Sequence, residues 1–203
     1  MPGYPNAVPE EDPLENYPKT VELRTGSAVL RPLAHDDAEE VLTFARSLPV
    51  HDLMFLRRDI TNPETVEHWL DEIDRGLALI VIAEIDGRMV GYGMLSLNDL
   101  DWSRHLAELR VLVHPDCRET GLGRTMIREV FRLAVDRGVE KVIARMTLDQ
   151  TAARSLFHEL GFRPEALHEN EVKDRSGRLH DVVRMAVDVK ALLARRDSYG
   201  MGG

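Results

Sequence analysis

Arg118-Glu-Thr-Gly121-Leu-Gly123-Arg124 joins two segments of different character. Before it runs Ala107-Glu-Leu-Arg-Val-Leu-Val113, strand-like and closed by the breaker His114-Pro115-Asp116. After it comes an amphipathic helical pattern from Leu122 to Val135. A strand that turns through Arg-x-x-Gly-x-Gly into a helix offers an anion several unpaired main-chain N–H groups. The helix dipole adds roughly half a positive charge. Glycine puts no Cβ between that backbone and a ligand. The pattern reads as a cradle for a diphosphate; Gly-x-Gly taken alone reads equally well as a tight turn. A Walker loop would need Gly-Lys-Ser/Thr where Arg124-Thr125 follows. A dinucleotide fingerprint would need three glycines in the first turn of a parallel βαβ unit.

The segments that must position this turn can be read by period. Ser27–Arg31 is a short first strand. Asp36–Arg46 is helical, with an acidic start and Val41, Phe44 and Ala45 on one face. Asn62-Pro63-Glu64 is a helix start, followed by Val66, Trp69, Leu70 and Ile73 at helical spacing up to Gly76. Leu79–Ile85 and Met89–Leu95 flank Asp86-Gly87, a preferred two-residue hairpin turn. After the long helix, Lys141–Met146 is a strand and Thr151–Leu160 a helix stopped by Gly161. Phe162–Val172 and Asp181–Val187 close as an antiparallel pair. The order implies an α/β (α+β) fold: a mixed sheet of about seven strands with about four helices on its faces.

Size and charge narrow the function. The chain has 203 residues, enough for one domain with a real core. Its formal net charge of −9 has the wrong sign for a general nucleic-acid binder, so no nucleic acid is expected as partner. No run of eighteen apolar residues exists, so no membrane span is expected. The start Met1-Pro-Gly-Tyr-Pro-Asn lacks the marks of a signal peptide, and the single Cys117 suits a reducing cytoplasm. Cys117 reads as a bystander thiol. The pairs His35-Asp36, His51-Asp52 and His180-Asp181 lack metal-ligand spacing, so no metal is expected.

Two stretches together resemble the GNAT superfamily of N-acetyltransferases. Val113-His-Pro-Asp-Cys-Arg118-Glu-Thr-Gly121-Leu-Gly123 is similar to its acyl-CoA signature. Gln150-x-x-Ala153-x-x-Leu156-Phe157-x-x-Leu160-Gly161-Phe162 is similar to its later helix and Leu-Gly-Phe exit. The resemblance spans about Val29 to Val187. It implies a single domain over residues 21–190, with flexible ends at 1–20 and 191–203, and acetyl-CoA as acyl donor. Val111, Leu112 and Val113 would splay from the next strand and offer backbone groups to the pantetheine and thioester. Arg118, Glu119, Thr120, Gly121, Leu122, Gly123 and Arg124 would surround the pyrophosphate, although Glu119 itself should face solvent. Gln150 stands where the family often has an asparagine touching the cofactor.

Glu108 is the expected base, as in bacterial protein lysine acetyltransferases of this type, where a glutamate precedes the signature valine by five residues. An amine of pKa about 10 is mostly protonated at neutral pH and cannot attack until it loses a proton. The competing reading is a strand glutamate paired with Arg110, which alternation places on the same face. Phe157 departs from the family: many members carry a tyrosine there, able to protonate the leaving thiolate. Tyr92, His105 and His158 are the conceivable substitutes. The acceptor would be a small-molecule amine or a protein lysine, and a homodimer is compatible with the family. A non-catalytic acyl-CoA-binding module is the alternative that Phe157 favours.

Overall fold

Asp86 and Gly87 both adopt positive φ, 51° and 70°, the twist that a tight hairpin turn requires. They join β3 (Ala78–Ile85) to β4 (Arg88–Leu97), and the sheet is built outward from this pair. The computed structural model describes residues 12–53, 56, 58–174 and 176–198. On one side of the hairpin lie β2 (Gly26–Pro32) and β1 (Lys19–Leu23). On the other lie β5 (Leu106–Val113), β6 (Lys141–Thr147), β8 (Leu179–Asp188) and β7 (Arg163–Lys173). The order is β1-β2-β3-β4-β5-β6-β8-β7, and β5–β6 is the one parallel pair among the described strands.

Helices cover both faces, because strand alternation leaves each face apolar. Between β2 and β3 come α1 (Ala38–Ser47), the short α2 (Val50–Leu53) and α3 (Pro63–Asp74). The Asn62 side chain accepts the Glu64 N–H at 3.1 Å and Pro63 fills the first helical position, as the sequence predicts. Val41, Phe44 and Trp69 from α1 and α3 bury against Ile80, Ile82 and Tyr92 of the sheet. On the opposite face α4 (Leu122–Asp136) buries Leu122, Met126, Val130 and Leu133 against Val81, Leu95 and Leu109. This close seat depends on Gly93. A Cβ built there would stand 2.4 Å from Val130 Cγ2 and 3.3 Å from Met126 Cε. After β6, α5 (Thr151–Glu159) returns the chain over this face, and α6 (Val189–Ser198) follows β8.

The mixed sheet is as expected, with eight strands and six helices where about seven and about four were foreseen. The unforeseen β1 starts at the end of the stretch that composition marks as a lead-in, with Lys19 and Thr20, and runs on to Leu23. Residues 1–11 of that stretch lie outside the described residues. Further on, the Tyr17 hydroxyl and the Lys19 ammonium each donate to Glu129 of α4 at 2.6 Å, and β1 pairs with β2. At the other end α6 occupies part of the expected tail, and Leu192 packs over Gly161. Among the described residues no helix is long and apolar enough to cross a membrane.

Candidate active site

The parallel pair at the centre of the sheet is short. β5 runs beside β4 from Ala107 to Val113, and β6 runs beside β8 from Lys141 to Thr147. Between β5 and β6, however, only Leu106–Lys141, Ala107–Val142 and Glu108–Ile143 are in register. From Leu109 onward the strands part, and no described strand pairs with that edge of β5. Val111, Leu112 and Val113 therefore line the open side of a fork, where the resemblance placed them.

At the far end of β5 the chain forms a cradle. A single turn over Pro115–Cys117 is held by the Cys117 N–H on the His114 carbonyl at 2.9 Å. Glu119 and Gly121 then take positive φ, 62° and 96°, and α4 begins. Three carbonyls of the loop are tied back. The Thr120 hydroxyl donates to Cys117 O at 2.8 Å. In the turn between β1 and β2, the Arg24 guanidinium donates to Glu119 O at 3.2 Å and its N–H to Thr120 O at 2.9 Å. With the negative ends of these peptide dipoles engaged, the N–H ends dominate the mouth. Leu122 N–H is shared with the Thr120 hydroxyl at 3.3 Å, while Gly123 and Arg124 lie in the first turn, where a helix supplies no acceptor of its own. The two glycines do different work. Gly121 supplies a backbone angle, with nothing within 4 Å of a Cβ placed there. Gly123 leaves space, since the nearest atoms to such a Cβ are Leu156 Cδ2 at 3.9 Å and Val113 Cγ2 at 4.0 Å.

Other expected cofactor contacts are engaged within the protein. Arg118 pairs with Asp52 of α2 at 2.6 Å, and Arg124 pairs with Glu159 of α5. Gln150 turns back on its own strand, its Oε1 accepting the Thr147 N–H at 3.1 Å. The Phe157 ring is buried, edge-on to Phe162 at 5.0 Å, so it contributes packing beneath the fork. Burial and the neighbouring Asp116 push the Cys117 thiol up, in keeping with a bystander.

Glu108 is the last β5 residue in register with β6, so its side chain stands where the fork begins. Alternation sets Glu108, Arg110 and Leu112 on the α1–α3 face. Glu108 Oε1 accepts from Arg110 Nη2 at 3.0 Å, with the two side chains 11% and 17% exposed. Both border a cavity of about 140 Å³ that also touches Leu56, Arg145, Thr147 and Glu171. The glutamate thus combines an ion pair with a place on a small pocket at the strand divergence. Of the three conceivable proton donors, Tyr92 approaches the same ion pair, through Arg110. The Tyr92 phenol is fully buried near Phe44 and Trp69 and close to Arg110; burial pushes it up to about 12 although that guanidinium opposes the shift. His105 precedes β5 at the closed end of the fork, its carbonyl accepting the Glu140 and Lys141 N–H groups. His158 borders a separate groove of about 560 Å³ on the outer side of α5, with Arg154 and Met185. The histidines of the His-Asp dipeptides meet carboxylates other than their neighbours: His35 faces Asp74 and His180 Asp174, each at 2.9 Å, and His51 faces Asp149 at 3.5 Å.

Comparison with known proteins bears on the family and the fold. Residues 42–162 match the model of the acetyltransferase (GNAT) family. Over 84 residues the chain is 31% identical to the L-amino acid N-acyltransferase MnaT of Escherichia coli K12, covering 41% of this chain and 49% of that protein. It is 28% identical over 135 residues to mycothiol acetyltransferase of Clavibacter sepedonicus, covering 65% and 41%. The chain thus spans about half the length of the curated relatives it matches, or less. Among solved structures, a ribosomal-protein-alanine N-acetyltransferase from Brucella melitensis superposes with a TM-score of 0.70 at 24% identity, covering 79% of this chain and 99% of that one. A phosphinothricin acetyltransferase from Sinorhizobium meliloti, solved in complex with AcCoA, gives 0.70 at 20% identity, covering 79% and 88%. At these identities the likeness is one of fold.

Proposed function

Because the chain belongs to the acetyltransferase (GNAT) family, we propose that it transfers an acetyl group from acetyl-CoA to a primary amine by direct attack in a ternary complex. The observation that carries this reading is the divergence of β5 from β6 immediately after Glu108, with an N–H-rich loop at the far end of the same strand. One strand thereby sets the distance between a diphosphate-binding end and a carboxylate.

In this reading the first turn of α4 holds the diphosphate through main-chain N–H groups, and Arg118 and Arg124 exchange Asp52 and Glu159 for phosphate oxygens. Acetyl-CoA supplies an activated thioester carbonyl. Glu108 removes the ammonium proton, directly or through water; the amine nitrogen then bonds to the carbonyl carbon and the C–S bond breaks. Main-chain N–H groups near Leu112 and Val113, on the open edge of β5, stabilise the oxyanion. CoA departs as thiolate. A thiol of pKa about 8.5 is a good leaving group, so the buried Phe157 does not argue against turnover.

Glu108→Gln tests the assignment. Acetyl-CoA affinity by calorimetry should stay near wild type, while kcat falls about 10²-fold or more, the usual contribution of a positioned base. Wild-type turnover by this variant across the pH range would remove Glu108 from the mechanism.

A further inference from the structure

On the α1–α3 face three arginines stand in a row across the sheet. Arg145 of β6 is directly opposite Arg184 of β8. Arg110 lies two residues beyond Glu108, and Arg145 two beyond its partner Ile143, so these two guanidiniums sit on either side of the opening fork. Like charges directly opposite on neighbouring strands are destabilising. Each arginine here is offset by a carboxylate: Arg110 by Glu108 at 3.0 Å, Arg145 by Glu171, and Arg184 Nε by Glu165 at 3.1 Å. Packing alone does not call for such a row, and two of its members border the cavity beside Glu108.

The pairs are not equally exchangeable. Arg110 and Glu108 are mostly enclosed, whereas Arg145 and Glu171 are 30% and 31% exposed. An ion pair that wet contributes little and gives way readily to a competing anion. The two ion pairs cancel, so a bare ammonium adds an uncompensated charge to the pocket. A molecule carrying its own anion near the nitrogen adds none. The pocket, about 140 Å³, suits a small molecule.

We propose that the acceptor is a small zwitterion of the amino-acid type, whose anionic group takes Arg145 from Glu171 while its nitrogen is directed to Glu108. This rests on the transferase reading above. Arg184, opposite Arg145, adds to the positive potential felt by that anion.

The test is CoA release by the wild-type protein with the free L-amino acids, the carboxamides of those accepted, putrescine and a lysine-containing peptide. Free acids should exceed their carboxamides in kcat/KM by about 10- to 100-fold, the usual weight of a hydrogen bond to a charged partner. Arg145→Gln should erase most of that preference through KM, with acetyl-CoA affinity by calorimetry unchanged. Carboxamides, putrescine or the peptide turning over as well as the free acids would overturn this inference and leave the transferase reading standing. Absence of CoA release with every acceptor would overturn both. The carboxamide comparison needs no variant, so misfolding of Arg145→Gln does not spare the proposal.

Discussion

Gly121 and Gly123 belong to one motif, yet alanine should act on them with opposite sign in the ligand-free protein. Gly121 has φ 96°, a region in which an L-residue is strained by about 1–2 kcal/mol, and its surroundings are open. Gly121→Ala should therefore destabilise by about that amount through the backbone alone. Gly123 lies inside the first turn of α4, and a Cβ there meets only ordinary contacts at 3.9 and 4.0 Å. Alanine is favoured over glycine in a helix by up to about 1 kcal/mol, so Gly123→Ala should be neutral or stabilising. Its cost should appear when acetyl-CoA is added, because the methyl fills the gap between Val113 and Leu156 through which the loop is approached. Losing one charge-assisted N–H contact there weakens binding by about 10- to 100-fold. Urea unfolding of the ligand-free variants and calorimetry with acetyl-CoA measure the two effects separately. Equal destabilisation by both substitutions, or wild-type affinity in Gly123→Ala, would refute the division of labour between the glycines.

Three further outcomes are expected. Gly93→Ala should cost about 1–3 kcal/mol by overpacking against Val130, and Val130→Ala in the same chain should recover part of it; strict additivity in urea unfolding would contradict the close seat of α4. Asp52→Asn should tighten acetyl-CoA binding several-fold in calorimetry, because Arg118 no longer has to leave a carboxylate, and the gain should vanish in an Arg118→Ala background. The hydrogen bonds from Arg31 hold the Asp37 carboxyl below its ordinary 3.8. That stability is fully present above pH 3.8 and is lost as pH falls through the lowered folded value, so Asp37→Asn should lower the urea midpoint at neutral pH and flatten its acid limb.

Much of this architecture is legible because local rules and the final packing agree. The Asp86-Gly87 hairpin, the Asn62-Pro63 helix start and the amphipathic α4 each carry their signal within a few residues, and the structure follows them. Strand alternation alone put Glu108 and Arg110 on one face. β1 escaped because its partners are remote: Val21 and Leu23 alternate as in any strand, but Tyr17 and Lys19 are held by Glu129, more than a hundred residues away. The same limit hides the partners of Arg118 and Arg124, which come from α2 and α5. The fork cannot be read locally either, since it is a difference between two ladders. The Arg145–Arg184 opposition needs a register that no single segment encodes. Nothing around Gly93 in the sequence signals that α4 lies across it.

Arg24 grips two carbonyls of the anion-binding loop from the opposite margin of the sheet. The polarity of that loop is consequently maintained by a turn near the start of the chain. Under the proposed function, an alteration there, such as a substitution or a bulky tag crowding the first hairpin, should weaken the hold on acetyl-CoA without touching a ligand-facing residue. Natural variants that differ in this outlying turn would be expected to differ in donor affinity even where every residue facing the ligand is the same.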